Sequence, residues 1–140
     1  MPETPVATVV VEGERGYAQR IRSGQHTWAA DEPVARGGTD SAPNPTALFL
    51  GALAACSAIT LRMYAERKKW ELGPIRVKLA LIHRDGDRQR IERELAFGAA
   101  LSPEQRSKLA EIADKSPVSR LVSAGSDIET TTRLIASSAR

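Results

Sequence analysis

The side chain with the most distinctive chemistry in this chain is Cys56, its only cysteine. It lies in the middle of an apolar segment, residues 47–61, that has the character of a helix. A single cysteine cannot form an internal disulfide, so any redox cycle needs a second thiol from another molecule. The thiolate is the reactive form of the side chain, and a free thiol is only a few per cent ionised at neutral pH. Two interpretations therefore stay open: inert packing, or a nucleophile that a nearby arginine activates.

The remaining polar side chains predict neither a metal site nor another cofactor. His26 and His83 are far apart in sequence and, with one cysteine, make no recognisable metal-ligand spacing. Ser116 precedes Pro117, a pattern that is typical of a helix N-cap. No general base accompanies this serine in the sequence, so we interpret it as a cap rather than a catalytic group.

Composition predicts a single soluble domain over residues 1–140. The chain has 20 basic and 17 acidic residues, and the basic residues lack the interleaved aromatics of a nucleic-acid site. The lone cysteine favours a reducing cytoplasm, and the N-terminal residues do not form a signal peptide. The apolar stretch 47–61 is shorter than the roughly 20 residues that span a membrane, so we expect a core helix and no membrane partner.

The first half of the chain predicts three strands followed by one long helix. Residues 6–11, 17–22 and 26–30 have strand character, and an irregular stretch follows over residues 34–44. Asn44 is a good N-cap with Pro45 at the first helical position, and the helix should run to about Lys69. Because it is apolar nearly all round over residues 47–61, we expect it to be buried on most sides, by wrapped sheets or by a second subunit.

The second half predicts a hairpin, two helices and a last strand. Residues 75–81 alternate as a half-buried strand, and Asp85-Gly86 turns the chain into a second strand with an apolar row that Arg93 interrupts. Ser102 and Gln105 form a capping box at the start of a helix, and a shorter helix follows Ser116 and ends at Gly125. A final strand is expected over residues 128–135, with a frayed tail at residues 136–140. This order predicts an α+β domain.

Several local strings, taken in order, resemble the OsmC/Ohr family of organic-hydroperoxide-reducing proteins. They are Asp31-Glu32-Pro33, residues 37–40, Asn44-Pro45, residues 53–56, residues 60–68 with Trp70, and residues 112–118. The resemblance implies an OsmC-like two-layer fold with antiparallel sheets. It also implies an intertwined homodimer, in which two long buried central helices are wrapped by sheets from both chains.

The same resemblance implies a redox mechanism and assigns residues to it. A peroxidatic cysteine attacks the O–O bond of an alkyl or fatty-acid hydroperoxide, and its sulfenic acid condenses with a second cysteine to a disulfide that an external dithiol reduces. An arginine, oriented by a glutamate, stabilises the thiolate. Cys56 matches the peroxidatic position and Arg22 aligns with the arginine, whereas Ser116 stands at the second cysteine and Thr46 at the glutamate.

We therefore predict a cytoplasmic, homodimeric thiol peroxidase that acts on organic hydroperoxides in oxidative-stress defence. Cys56 is the nucleophile, Arg22 stabilises its thiolate, and an external thiol must complete a one-cysteine cycle. The alternative is a non-catalytic OsmC-like dimer that binds a lipid-like or apolar ligand, with Cys56 as packing. A third and weaker interpretation is that Ser116 is an introduced replacement that traps the reduced form.

Overall fold

The computed structural model describes residues 3–135 and combines two antiparallel sheets with three α-helices. This arrangement confirms the predicted α+β class. The strands and helices, in chain order, are β1 (Val10–Glu12), β2 (Gln19–Ser23), β3 (His26–Ala30), a 3-10 turn (Val34–Arg36), α1 (Pro45–Lys68), β4 (Ile75–Ile82), β5 (Arg90–Phe97), α2 (Pro103–Asp114) and α3 (Pro117–Ala124).

Helix α1 begins and ends where its sequence predicts. The Asn44 side chain accepts a hydrogen bond of 2.8 Å from the backbone N–H of Ala47, and Pro45 occupies the first helical position. At the other end Lys69 adopts a left-handed conformation with φ of 58°, and its N–H bonds to the last carbonyls of the helix. The Arg62 guanidinium then donates to the Gly73 carbonyl at 2.8 Å, which ties this end of α1 to the turn before β4.

Within residues 3–135, only one side of α1 is buried. Its inner side packs on β4, α2 and α3, where the core residues are Leu61, Tyr64, Ala65, Leu72, Leu109 and Ala113. The opposite side is open: Ile59 is 56% exposed and Met63 is 60% exposed. The helix is thus less buried than its pattern predicts, because β4, α2 and α3 cover a single side of it. By length and composition alone α1 could cross a membrane, a property that it shares with the core helices of soluble proteins.

Strands β4 and β5 form the hairpin that lies against the helices. Their paired residues alternate between an inner and an outer face, and the inner pairs are Ile75–Phe97, Val77–Leu95, Leu79–Arg93 and Leu81–Ile91. The predicted inward apolar residues are confirmed along most of the hairpin, whereas Leu81, near its turn, is 39% exposed. Arg93 occupies an inner position as well, so it enters the interior on a strand rather than on a loop.

The N-terminal sheet is a three-stranded antiparallel meander that packs chiefly on itself. Ile21, at the centre of β2, pairs with Val11 on one side and Trp28 on the other, and it is buried. Arg20 and Arg22 point to the opposite face of the same sheet, where both are exposed. All three predicted strands are confirmed, with β1 displaced toward the turn that follows it.

The predicted last strand is wrong. Residues 125–135 form no strand in the structure, and Ile128, Leu134 and Ile135 are exposed. β-Branched residues favour strands only where a neighbouring strand supplies cross-strand packing and a hydrogen-bonding edge. Within the described chain no strand pairs with this segment. The predicted tail at residues 136–140 lies outside the described residues.

One buried carboxylate organises the loop that leads into α1. The Asp31 side chain accepts hydrogen bonds from the backbone N–H of Glu32 and from both the backbone and the hydroxyl groups of Thr39 and Ser41. These donors, the Ser41 hydroxyl foremost, hold the pKa of Asp31 well below its usual range. Gly38 is required in this loop, because a Cβ at that position would collide with the Glu32 carbonyl oxygen.

We predict that Asp31→Asn destabilises the fold at neutral pH and removes part of its acid sensitivity. The pKa of Asp31 is lower in the folded chain than the value of about 3.9 expected on unfolding. Its contribution to stability is therefore present above about pH 4 and is lost as the pH falls through the acid range. Urea unfolding followed by circular dichroism, at about pH 7 and about pH 3, measures both effects.

Asp127→Asn is the control for this experiment, since Asp127 is exposed beyond the last helix. The wild type and the control should lose more stability between the two pH values than Asp31→Asn does. Equal losses in all three proteins would contradict the structural role of the Asp31 carboxylate.

Candidate functional site

Cys56 lies on α1 at the border between its buried and exposed sides, and it is half-buried. Phe49 and Met63 are each seven residues from Cys56, which is about two turns, so helix geometry places all three in one row. Both of these neighbours are exposed. The thiol is therefore not sealed in the core of the chain. It stands along an apolar surface that we call the open face of α1, formed by Phe49, Ala52, Ile59 and Met63.

The inward neighbour of Cys56 belongs to a buried polar network centred on Arg93. The Arg93 Nη1 donates to the hydroxyl oxygens of Ser57 and Ser119, each at 2.9 Å, and its Nη2 donates to the Asp114 carboxylate at 2.7 Å. Ser57 is fully buried and follows Cys56 directly. One guanidinium on β5 thus connects α1, α2 and α3, and its planar array of donors suits this multiple contact.

The direction of each hydrogen bond in this network follows from the number of protons available. The Ser119 hydroxyl donates its single proton to the Ala113 carbonyl at 2.9 Å. It must therefore accept the 2.7 Å hydrogen bond that it shares with Ser116, and Ser116 must be the donor. Ser57 likewise donates to the Leu53 carbonyl at 2.9 Å and accepts from Arg93. Every hydroxyl proton is committed, and none of them points at a base.

This network corrects the interpretation of Ser116. Ser116 occupies the N-cap position of α3, but its side chain makes no capping hydrogen bond. The hydroxyl instead points inward to Ser119 and is completely buried. A serine nucleophile needs a base to take its proton. Ser116 has only a neutral hydroxyl beside it, so the arrangement excludes serine catalysis at this position.

The resemblance also assigns Arg22 and Thr46, and both are exposed in the chain. Arg22 is exposed on β2, and no hydrogen bond or ion pair in the described residues joins it to Cys56. Thr46 is exposed in the first turn of α1. The roles proposed for Cys56 and Arg22 thus stay predictions. Within residues 3–135 no group of three or more His, Cys, Asp or Glu side chains is arranged to hold a metal ion.

Sequence reasoning did not identify the Arg93 network. One signal of it is present in the sequence, since a charged residue interrupts the inward row of an otherwise apolar strand. Ser57 and Ser119 carry no comparable signal, because serine is common on helices that face water. Their partners become evident only when α1, α3 and β5 are packed together.

We predict that Arg93→Met lowers the free energy of unfolding by about 2–4 kcal/mol, because it removes three hydrogen bonds from a charged donor that is only 17% exposed. Arg90→Met is the matched control. Arg90 lies on the outer face of the same strand and pairs with Glu92 in water, so its loss should change stability by about 0.5 kcal/mol or less. Urea unfolding measures both, and equal losses would contradict a structural role for the network.

Several solved structures of bacterial proteins resemble this chain in fold. A Psychrobacter arcticus protein, named as an osmotic stress induced and detoxification response protein, aligns with a TM-score of 0.72 at 18% identity, over 86% of this chain and 90% of its own. An organic hydroperoxide resistance protein OsmC from Legionella pneumophila aligns with a TM-score of 0.61 at 19% identity, over 85% of this chain and 91% of its own. An organic hydroperoxide resistance protein from Elizabethkingia anophelis aligns with a TM-score of 0.62 at 22% identity, over 87% of this chain and 91% of its own. At these identities the likeness concerns the fold.

The sequence comparisons identify the family. A search of curated proteins finds no match. A family model described as OsmC-like protein matches residues 38–131, a region that includes α1 with Cys56, the β4–β5 hairpin and the Arg93 network. The matched region covers more than half of the chain, and the fold agrees with it. The chain therefore belongs to the OsmC-like protein family.

Proposed function

We propose that this protein is a thiol-dependent peroxidase that reduces organic hydroperoxides at Cys56. The observation that carries the proposal is the position of Cys56, half-buried on the central helix of an OsmC-like fold and in line with an open apolar face. An apolar surface beside the thiol suits substrates with an alkyl group. Three of the similar solved structures belong to proteins named for resistance to organic hydroperoxides.

The first step oxidises sulfur and reduces the peroxide by two electrons. The Cys56 thiolate attacks the terminal oxygen of the hydroperoxide, an S–O bond forms and the O–O bond breaks. The products are a sulfenic acid on Cys56 and an alkoxide, which takes a proton from water and leaves as the alcohol. Nothing in this step needs a metal or an organic cofactor.

The return to the thiol needs two external thiol groups, which two monothiol molecules or one dithiol can supply. The first condenses with the sulfenic acid, which releases water and leaves a mixed disulfide on Cys56. The second attacks that mixed disulfide, which restores the Cys56 thiol and releases the external disulfide. The chain has no other cysteine, and Ser116 offers only a buried hydroxyl. We therefore infer a one-cysteine cycle whose reductant is a thiol supplied from outside the chain.

A homodimer would complete both the core and the site. The open face of α1 exposes large apolar side chains of a kind that proteins normally cover. A second copy packed on it would bury these side chains and bring a second N-terminal sheet close to the thiol. Arg22 is exposed on such a sheet. We infer that the Arg22 of one protomer stabilises the Cys56 thiolate of its partner, since a guanidinium keeps its charge at any relevant pH.

The second candidate function is a non-catalytic dimer that binds an apolar ligand. It is favoured by the serine at position 116 and the threonine at position 46, where the family mechanism has a cysteine and a glutamate. In that case Cys56 packs against the ligand and does not react. The two functions make opposite predictions about oxidation of Cys56 in the folded protein.

We predict that cumene hydroperoxide converts Cys56 to a sulfenic acid within seconds. Intact-mass spectrometry after brief treatment with a slight excess of peroxide, in the presence of dimedone, should detect one dimedone adduct per chain. Cys56→Ser should give no adduct and no peroxide consumption with excess dithiothreitol. A folded wild-type protein that forms no adduct would support the ligand-binding alternative, and full peroxidase activity in Cys56→Ser would exclude Cys56 as the nucleophile.

We also predict that Arg22→Met slows adduct formation by about tenfold, which corresponds to a loss of about 1.4 kcal/mol of electrostatic stabilisation. Arg20→Met is the matched control, because Arg20 is exposed on the same face of the same strand. Both variants remove one positive charge from β2. A difference between their rates of adduct formation would therefore report a specific contact of Arg22. Equal rates in the two variants would remove Arg22 from the site.

We further predict that the protein sediments as a dimer and that Ile59→Glu makes it monomeric. Burying an unpaired carboxylate in an apolar interface costs several kcal/mol. Leu121→Glu is the control, since Leu121 is exposed on α3 and lies outside the open face of α1. Sedimentation velocity distinguishes the two states. A monomeric wild type, or dissociation by both variants, would contradict the proposed interface.

A further inference from the structure

A cleft lies between strand β5 and helices α2 and α3, next to the Arg93 network. Its volume is about 390 Å³, within the range of about 300–1,000 Å³ that small-molecule sites occupy. Its lining residues include Leu53 from α1, three residues of β5, and residues of both C-terminal helices. Cys56 is not among them. The cleft is therefore separate from the open face of α1, where the proposed peroxidase chemistry takes place.

The cleft combines five apolar lining residues with one ion pair and two serines, Ser119 and Ser123. The apolar walls come from Leu53, Ile91, Leu95, Ala110 and Val122. The ion pair is the 2.7 Å contact between Arg93 and Asp114, in which the arginine is 17% exposed and the aspartate is 78% exposed. This combination suits a ligand with an apolar chain and a single polar head.

The ion pair has hydrogen-bonding capacity left over. Of the five N–H donors of Arg93, two bond to serines and one to Asp114, so the Nε–H and one Nη2–H remain. In the described chain no protein acceptor bonds to these two N–H groups, and the Arg93 side chain is 17% exposed. The second carboxylate oxygen of Asp114 can accept a further hydrogen bond. Because Arg93 and Asp114 both line the cleft, a ligand there can meet a donor and an acceptor at this ion pair.

We propose that this cleft binds an uncharged amphiphile, with an alkyl chain among the apolar walls and a head group that both accepts and donates a hydrogen bond. A primary amide fulfils this requirement: its carbonyl accepts from Arg93 and its N–H donates to Asp114. A carboxylate head would meet the Asp114 charge, and an ammonium head would meet that of Arg93. Either would also lose its hydration on entering. The complementarity therefore selects against charged heads.

Octanamide, octanoate and octylammonium test this proposal, because they share a chain and differ in the charge of the head. Titration of ¹⁵N-labelled protein followed by amide chemical shifts gives a Kd for each compound and locates it on the chain. The Cys56→Ser protein is used throughout, so the result does not depend on the proposed peroxidase. Octanamide should bind with a Kd at least about tenfold lower than the others, a difference of about 1.4 kcal/mol, and should shift the amides of β5 and α3.

Two variants separate the cleft from the rest of the surface. Val122→Phe fills the cleft and should raise the Kd for octanamide at least about tenfold, whereas Leu121→Phe, on an exposed position of the same helix, should leave it unchanged. Asp114→Asn leaves the guanidinium without its counter-charge and should reverse the preference in favour of octanoate.

Three results would overturn the proposal. They are binding of octanamide that Val122→Phe does not weaken, a wild-type preference for octanoate or octylammonium, and chemical shifts that map to the open face of α1. The last of these would assign the ligand to the dimer surface instead. Loss of peroxide chemistry at Cys56 would leave the proposal untouched.

Discussion

The packing of α1, α2 and α3 against β5 depends on the hydrogen bonds of the Arg93 guanidinium. This guanidinium enters the interior from the inner face of β5 and reaches α1, α2 and α3 through Ser57, Asp114 and Ser119. A charge in this position is stable only because serine oxygens and a carboxylate satisfy it. Because each serine also has its proton committed to a backbone carbonyl, the geometry is fixed on both sides of the arginine. The observed arrangement of the three helices gives Ser57 and Ser119 both a donor and an acceptor.

The long helix imposes the second constraint, because it is apolar on more sides than one chain can cover. The hairpin and the two C-terminal helices bury its inner side, while Ile59 and Met63 stay in contact with water. Cys56 lies at the border between these two environments. At this position the thiol reaches an apolar surface, while its backbone stays within the regular helix α1. It also explains why the chemistry and the proposed association would share one face of the helix.

Serine at position 116 fits the fold, and in the proposed mechanism it removes the internal disulfide partner of Cys56. Its hydroxyl fits into the Arg93 network through Ser119, so the position is fully satisfied and fully buried. A hydroxyl there cannot exchange with a sulfenic acid. The network holds the helices together, whereas the second half of the proposed redox cycle would depend on an external thiol.

The sequence by itself determined the local elements, since their signals are local. The N-cap of α1, the capping box of α2 and the alternation in β4 and β5 predict elements that the structure confirms. The resemblance around Cys56 also led to the correct family. The strand predicted at residues 128–135 failed, because a strand needs a partner that local pattern cannot specify. Only the tertiary structure decided that one side of α1 is open, that Arg93 joins three helices and that Ser116 points inward. These features depend on contacts between residues distant in sequence, and the free energy of such contacts is set by packing and desolvation rather than by local propensity.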